Sequence, residues 1–524
     1  MRSTRNSYNL LLALTLTAGC SNLIAAEKAS QSTASRPYFT VFAASIDRLM
    51  TDFDIVFDAV DRVDLSESLS DRLKPYREFQ GIDRKKPLGV MRTWSDMTSS
   101  EIVFLPVQDI NELMKTFTLG IVDYREVSEN QYEIARPGAP YHVLVRHQYA
   151  YMADSTATIE GLRITPDQMA RELKDRYDIV AQFDLRQLPQ PAKEKYVDVV
   201  RALIEPWLQA QDGEAVEAAN LRKGLGKLVL NLFERLSLDT SQVTIGGRLD
   251  SQTRHLTLEV TIEAVKGSVM ATTMNRMASQ RSELSALVSA DTAAGLSVNL
   301  PLGWLVQHVL TGSSDMSKPS NIEAAIQLVG SKFGDFTLIM ALRGSEIVKL
   351  NKVIPEYIIR LENSGKFSAV RENLGVHQDV AFHSLVPQQM PVAIANLVSA
   401  DLEIIIGQGT DTIWLAIGQP AKLVEHLQDA IDSVVEAPST RGVAPLLKAK
   451  IQARQLPEAI ASDALVRNLD LDGSRAVLAE GDDALHLTIE PVSNGLKLTF
   501  EAEQGFVRLL GRDWSKQIDK DNPQ

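Results

Sequence analysis

The sequence predicts an α+β protein of two tandem, similar domains, each a mainly antiparallel sheet covered on one face by helices. Three observations carry that prediction. Short β-type runs are joined by turn residues into hairpins, amphipathic helices are mixed with them without strict βαβ alternation, and two pairs of matched segments recur in the same order. The length of 524 residues is ample for two such cores.

Tyr38-Phe39-Thr40-Val41-Phe42-Ala43 reads as a buried strand, with Ser45 placed to cap the helix behind it. That helix sets Ile46, Leu49, Met50, Phe53, Phe57 and Val60 on one face and Asp47, Asp54, Asp58 and Asp61 away from it. The acidic row suits a cation or, more simply, a solvated helix face. Ile102 to Leu105 reads as a second strand, and Asp109 with Glu112 as a capping-box-like start to a helix burying Ile110, Leu113, Met114 and Phe117. The later half repeats the order: Leu338-Ile339-Met340 leads through Gly344-Ser345 to one helix with Ile347, Leu350 and Ile354 on a face. Val243–Leu249 with His255–Ile262, and Ala484–Ile489 with Leu496–Phe500, read as hairpins.

The matched segments are Ala181–Pro189 (AQFDLRQLP) with Ala449–Pro457 (AKIQARQLP), and Val260–Gly267 (VTIEAVKG) with Leu498–Gly505 (LTFEAEQG). Pro189 to Val260 is 71 residues whereas Pro457 to Leu498 is 41, so the first copy carries an insertion, expected as a helical stretch over 213–236. The copies are expected at 37–280 and 281–524, the junction falling between Gly267 and Ala294 where a helix, Ser268–Ser279, leads into the strand Leu296-Ser297-Val298.

The N-terminus reads as an address. Arg2 and Arg5 precede the apolar run Leu10–Ala18, which is too short to span a bilayer and suits a signal-peptide core over 1–26. Two cleavage readings stand. One cuts after Ala26; the other treats Ala18-Gly19-Cys20 as the end of a lipobox, with Cys20 lipidated, although Thr17 stands where that pattern has leucine. Residues 27–36 are small and polar, as a flexible tether would be.

Charge and motifs narrow the chemistry. The leader carries two cations and no acid, so the body holds 52 Lys+Arg against 67 Asp+Glu, a net charge of −15 without a long basic run. Nucleic acid is therefore not an expected partner. One cysteine allows no internal disulfide. No Gly-x-Ser-x-Gly, Ser-x-x-Lys or His-Glu-x-x-His pattern occurs. His142 and His147 are expected on one strand facing opposite ways, and His377 and His383 need a turn to meet. Asn468, Asp470 and Asp472 with Gly473 resemble the first half of an EF-hand loop, but Ala479 takes the place of the bidentate acid. No cofactor is expected, and no catalytic residue is named.

Lys86-Pro87-Leu88-Gly89-Val90 followed by Phe104-Leu105-Pro106-Val107-Gln108-Asp109 resembles a pattern in large exported bacterial proteins of no assigned activity, over residues 38–165. The resemblance implies an envelope or secreted protein and supplies no catalytic residue. The expectation is a non-enzymatic binding or scaffolding protein of the bacterial cell envelope or periplasm, whose partner is an unidentified envelope protein or ligand and whose only membrane contact is a lipid on Cys20. The segment from Lys86 to Asp96 is expected as a loop walling its cleft. The alternatives are an envelope hydrolase with dispersed acidic residues, marked by a close carboxylate pair in a pocket, and a Ca²⁺-stabilised binding module.

Overall fold

The computed structural model describes residues 36–521, apart from 63, 65–79, 96–97, 119–122, 136–139, most of 192–237, 280, 290–291, 301–320, 331–334, 390–397, 399–400, 437–443 and 453–481. The leader, Cys20, the 213–236 stretch and the Asn468–Gly473 segment therefore lie outside the described residues. The architecture is mostly antiparallel sheet with helices. The chain divides into two compact units, one running up to Ser251 with Leu258–Ala271 added, the other comprising Gln252–Thr257 and the residues from Thr272 onward.

In the first unit the elements are β1 (Pro37–Ala43), α1 (Ile46–Asp58), β2 (Leu88–Ser95), β3 (Thr98–Pro106), α2 (Ile110–Thr118), β4 (Tyr124–Ser128), β5 (Gln131–Ile134), β6 (Tyr141–Arg146) and β7 (Tyr149–Ala153). Then follow α3 (Thr156–Glu160), α4 (Pro166–Ala170), β8 (Ile179–Asp184), β9 (Thr240–Leu249), β10 (Leu256–Ala264) and α5 (Val269–Met277). The strands lie side by side in the order β10-β9-β8-β1-β2-β3-β7-β6-β5-β4.

The second unit runs β11 (Ala294–Leu300), β12 (Ile322–Val329), β13 (Thr337–Gly344), α6 (Ile347–Asn351), α7 (Ile354–Asn363), β14 (Phe367–His377), β15 (Val380–Pro387) and β16 (Glu403–Gln408). It ends with β17 (Thr412–Gly418), α8 (Pro420–Val435), β18 (Leu447–Gln452), β19 (Ala484–Val492), β20 (Gly495–Ala502) and α9 (Gln504–Asp521). Its strand order is β20-β19-β18-β11-β12-β13-β17-β16-β15-β14, the same path as in the first unit, strand for strand.

The registers agree as well. Setting Ala181 against Ala449 places Val41, Val90, Val103, Met152 and Val143 at the positions of Leu296, Ile326, Met340, Leu415 and Ile406. All ten are apolar. The next position along the row is Tyr132 in one unit and His383 in the other.

Helices cover the first unit's sheet on both faces, which corrects the expectation of one covered face. Along β7 the side chains alternate between two cores. Tyr149, Tyr151 and Ala153 join Ile159, Leu162 and Ala170 beside α3 and α4, whereas Ala150 and Met152 join Ile46, Met50, Leu113 and Met114 from α1 and α2. Five consecutive buried residues need cover on two sides, a pattern the half-exposed hairpins at the other end of the sheet do not reveal. In the second unit Ile339, Trp414 and Ala416 pack under Leu423, Leu427 and Ile431 of α8, while Met340, Leu415 and Ile417 face Val398 and Leu402.

Local signals placed the helix starts well. The Ser45 hydroxyl accepts from the Arg48 amide at 3.1 Å, and Asp109 Oδ1 accepts from the Asn111 and Glu112 amides at 2.8 and 3.2 Å. The reciprocal half of the capping box expected from Glu112 does not form: the Asp109 amide donates to the Gly81 carbonyl at 3.1 Å, and Glu112 pairs with Lys115 at 2.8 Å. The single helix expected after Gly344 is two, α6 and α7, with Pro355 in the first turn of α7, where its missing N–H leaves no helical bond unmade. In β2, Gly89 lies so close to β1 that a Cβ there would sit 2.1 Å from the Val41 carbonyl oxygen. At the far margin of the second unit, β14 pairs with β15 alone among the described strands, and its register breaks between Arg371 and Gly375, where Asn373 (φ 58°) and Gly375 (φ 151°) are left-handed.

Candidate functional site

A cleft of about 530 Å³ opens in the first unit where the start of α1, residues 82–86, the end of β3 and the β6–β7 turn converge. An isolated bridge between Ile82 and Val107 forms its apolar floor. Asp83 organises the rim: its side chain accepts from the Lys85 amide at 3.2 Å and its carbonyl from the Lys86 amide at 3.2 Å. Arg84 pairs with Asp47 at 2.7 Å, and Lys86 reaches Asp83 at 3.7 Å and the Gln148 side-chain carbonyl. Lys85 is exposed and has no acid partner among the described residues. The cleft therefore offers two ion pairs, the amides of Gln108 and Gln148, and one spare ammonium. Among the described residues that line it there is no hydroxyl nucleophile or imidazole.

Both segments that carry the resemblance reach this cleft, through Lys86 on one side and Val107 and Gln108 on the other. The wall is not the loop expected from Lys86 to Asp96. Only Lys86 lines the cleft; Leu88–Ser95 is strand β2, paired on both sides, and Asp96 lies outside the described residues. Alternation was masked there because β2 is covered on both faces. Sequence reasoning missed Arg84, Lys85 and Gln148, although the run Asp83-Arg84-Lys85-Lys86 is the densest charge cluster nearby.

The acidic row of α1 does not form a cation site. Asp47 is committed to Arg84, and among the described residues no group of three or more His, Cys, Asp or Glu could hold a metal ion. The acid that matters is one the helical pattern passed over. Asp52 has its pKa pushed up to about 7, first by burial and then by the charge of Asp178, with Arg48 opposing. Asp178 is buried, accepts from the Leu249 amide at 2.9 Å and pairs with Arg48 at 2.5 Å, fastening α1 to the β8–β9 end of the sheet. Neither carboxylate lines the cleft.

The folded value for Asp52 lies above its ordinary 3.8, so folding is favoured by the bound proton below about pH 4 and loses that contribution as the pH rises through 7. Asp52→Asn is expected to stabilise the protein at pH 8 by about 1–2 kcal/mol, the full shift being discounted for solvent access, and to change little at pH 4. Urea denaturation at the two pH values checks this; an equal effect at both would rule it out.

The histidine pairs do not converge. β6 ends at Arg146, and His147 with Gln148 makes the turn into β7 (φ 52° and 63°), so His142 and His147 do not share a strand as expected. His142 faces Glu133 at 3.6 Å. His377 and His383 do share a hairpin, yet His377 bonds Asp432 at 2.7 Å while His383 is buried with neither ring nitrogen hydrogen-bonded. His383 stands where the first unit has core Tyr132, which accounts for its burial. Replacing it with Phe removes two unsatisfied polar atoms and is expected to raise stability by about 1 kcal/mol in denaturant titrations. A loss of stability would instead mean that the imidazole has a bound partner.

Among the described residues no helix is long and apolar enough to cross a membrane. Comparison with family models, with curated proteins and with solved structures gives no match to this chain, so the site is interpreted from its own chemistry.

Proposed function

We propose that the chain is an exported, non-enzymatic binding or scaffolding protein of the bacterial cell envelope, built by tandem duplication of one α+β domain over 37–280 and 281–524. The duplication is supported by the shared strand path, which includes the same non-sequential neighbours (β8 beside β1 and β3 beside β7; β18 beside β11 and β13 beside β17), and by the matching registers. The matched Arg-Gln-Leu-Pro segments begin at equivalent points of β8 and β18, and both Ala264 and Ala502 close their strands. Export is supported by the leader, with its paired arginines and short apolar run. Binding is supported above all by the cleft around Lys85, whose ion pairs, side-chain amides and spare ammonium suit recognition of a polar ligand.

Expression of the full chain with its leader, followed by envelope fractionation and mass spectrometry of the mature N-terminus, tests the reading. Cleavage before Cys20 with an added lipid, or after Ala26, supports it. An uncut precursor in the cytosol overturns export, and turnover of a substrate by the purified protein alone overturns the non-enzymatic part.

A further inference from the structure

A second cavity, of about 580 Å³, is lined by Arg36, Arg163, Ile164, Gln168 and Arg171. Three guanidinium groups around one hollow are unexpected on a chain of net charge −13. They stand out further against the other arginines of the first unit, which are engaged: Arg48, Arg84, Arg92, Arg125, Arg176 and Arg186 each pair with an acid. Arg62, Arg201 and Arg248 do the same, and Arg146 donates to the carbonyls of Ile159 and Leu162 at 2.7 and 3.0 Å. The arginines of that unit left without an acid or carbonyl partner among the described residues are the three that line this cavity.

Local structure holds the hollow in shape. Arg146, stacked over Tyr151 at 5.1 Å, braces the turn that presents Arg163. Thr165 and Gln168 form a reciprocal capping box at the start of α4, in which the Gln168 carbonyl accepts from the Thr165 amide at 3.0 Å, so its NH₂ remains a donor. The nearest acid on α4, Asp167, accepts from the Tyr149 hydroxyl at 2.9 Å and forms no ion pair with the three arginines.

We propose that Arg36, Arg163 and Arg171, with the Gln168 amide, bind the phosphate group of an organic ligand. Guanidinium forks match phosphate oxygens two at a time, and three of them balance a doubly charged phosphate with charge to spare. The volume exceeds that of a bare ion and lies in the range of small-molecule pockets, and Ile164 supplies an apolar contact for the remainder of the ligand. The phosphate can belong to a soluble metabolite or to a lipid headgroup. The lipid source rests on the export reading: Arg36 is the last residue of the predicted tether, and the 16 residue steps from Cys20 to Arg36 span up to about 55 Å when extended.

The test uses the mature full-length protein. Calorimetric titration with inorganic phosphate and with glycerol 3-phosphate is run beside sedimentation with phosphatidylglycerol vesicles and with phosphatidylcholine vesicles. Binding of glycerol 3-phosphate is expected, tighter than inorganic phosphate and weakened about tenfold by Arg163→Ala and more by the Arg163→Ala/Arg171→Ala pair. Arg360→Ala, which removes an exposed arginine of the second unit, is expected to leave it unchanged. Retention on phosphatidylglycerol alone, lost in the double variant, assigns the site to a headgroup; soluble binding without retention assigns it to a metabolite. Absence of all binding, or binding that the double variant retains at an unchanged melting temperature, overturns the proposal. Either result leaves the export test untouched, because that test reads only the mature N-terminus.

Discussion

Trp414→Ala is expected to lower stability by about 3–5 kcal/mol, among the largest effects of any single core truncation in the chain. Trp414 is 3% exposed and stands in β17 directly between Ala341 of β13 and Gly407 of β16. A Cβ on Gly407 would already lie 2.9 Å from the Trp414 Cβ, so the sequence has cleared room on both sides for one large ring. At the same three register positions the first unit carries Phe104, Tyr151 and Leu144. Volume is thus concentrated in one side chain in one unit and divided among three in the other. Truncating the tryptophan leaves small neighbours that cannot collapse into the space. Guanidinium denaturation followed by far-UV circular dichroism reads the loss. A shift below about 1 kcal/mol would mean that the ring is not a core anchor.

Gly89→Ala is expected to cost about 3 kcal/mol or more, a large penalty for one added methyl. The methyl would meet the Val41 carbonyl oxygen at 2.1 Å and the Phe42 Cα at 2.7 Å, both main-chain atoms that no rotamer change can move aside. Relief requires β1 and β2 to part, which exposes Phe42 and Met91 and opens the pairing between the strands. Lys85→Ala, at an exposed side chain two positions before Pro87, is the control and should leave the melting temperature unchanged. If Gly89→Ala melts with wild type, the close approach of the strands is relaxed in solution. The glycine of the Lys-Pro-Leu-Gly-Val pattern therefore has a packing reason that does not depend on any ligand.

Those two positions illustrate what could be read in advance. Strands with a plain apolar run, such as Tyr38–Ala43, and hairpins with alternating faces, such as 484–500, were legible because their period and turn residues act locally. Ser45 and Asp109 were legible as caps for the same reason: the orphan amides they satisfy lie two or three residues away. Strand β2 was not, since burial on both faces removes alternation and Gly89 lowers strand propensity. The position of Asp52 was equally hidden. It belongs to the helical period as an ordinary surface acid, and its proton affinity is altered by the fold, first through burial and then through Asp178, brought in from 126 residues away by the sheet. The cleft was half legible through Lys86, Val107 and Gln108, while Gln148 reaches it from a turn that no local signal ties to them. The arginine hollow was invisible for the same reason, being gathered from Arg36 and from residues 163–171.

The broken register of β14 has a consequence for how copies of the molecule behave toward each other. A straight outer strand of 11 residues with Leu374 and Val376 turned to water would present a continuous ribbon of free amides and carbonyls that another chain could zip onto. The kink at Asn373 and Gly375 interrupts that ribbon, and Arg371 and Glu372 put charge beside it, so intermolecular β-pairing meets a rim it cannot follow.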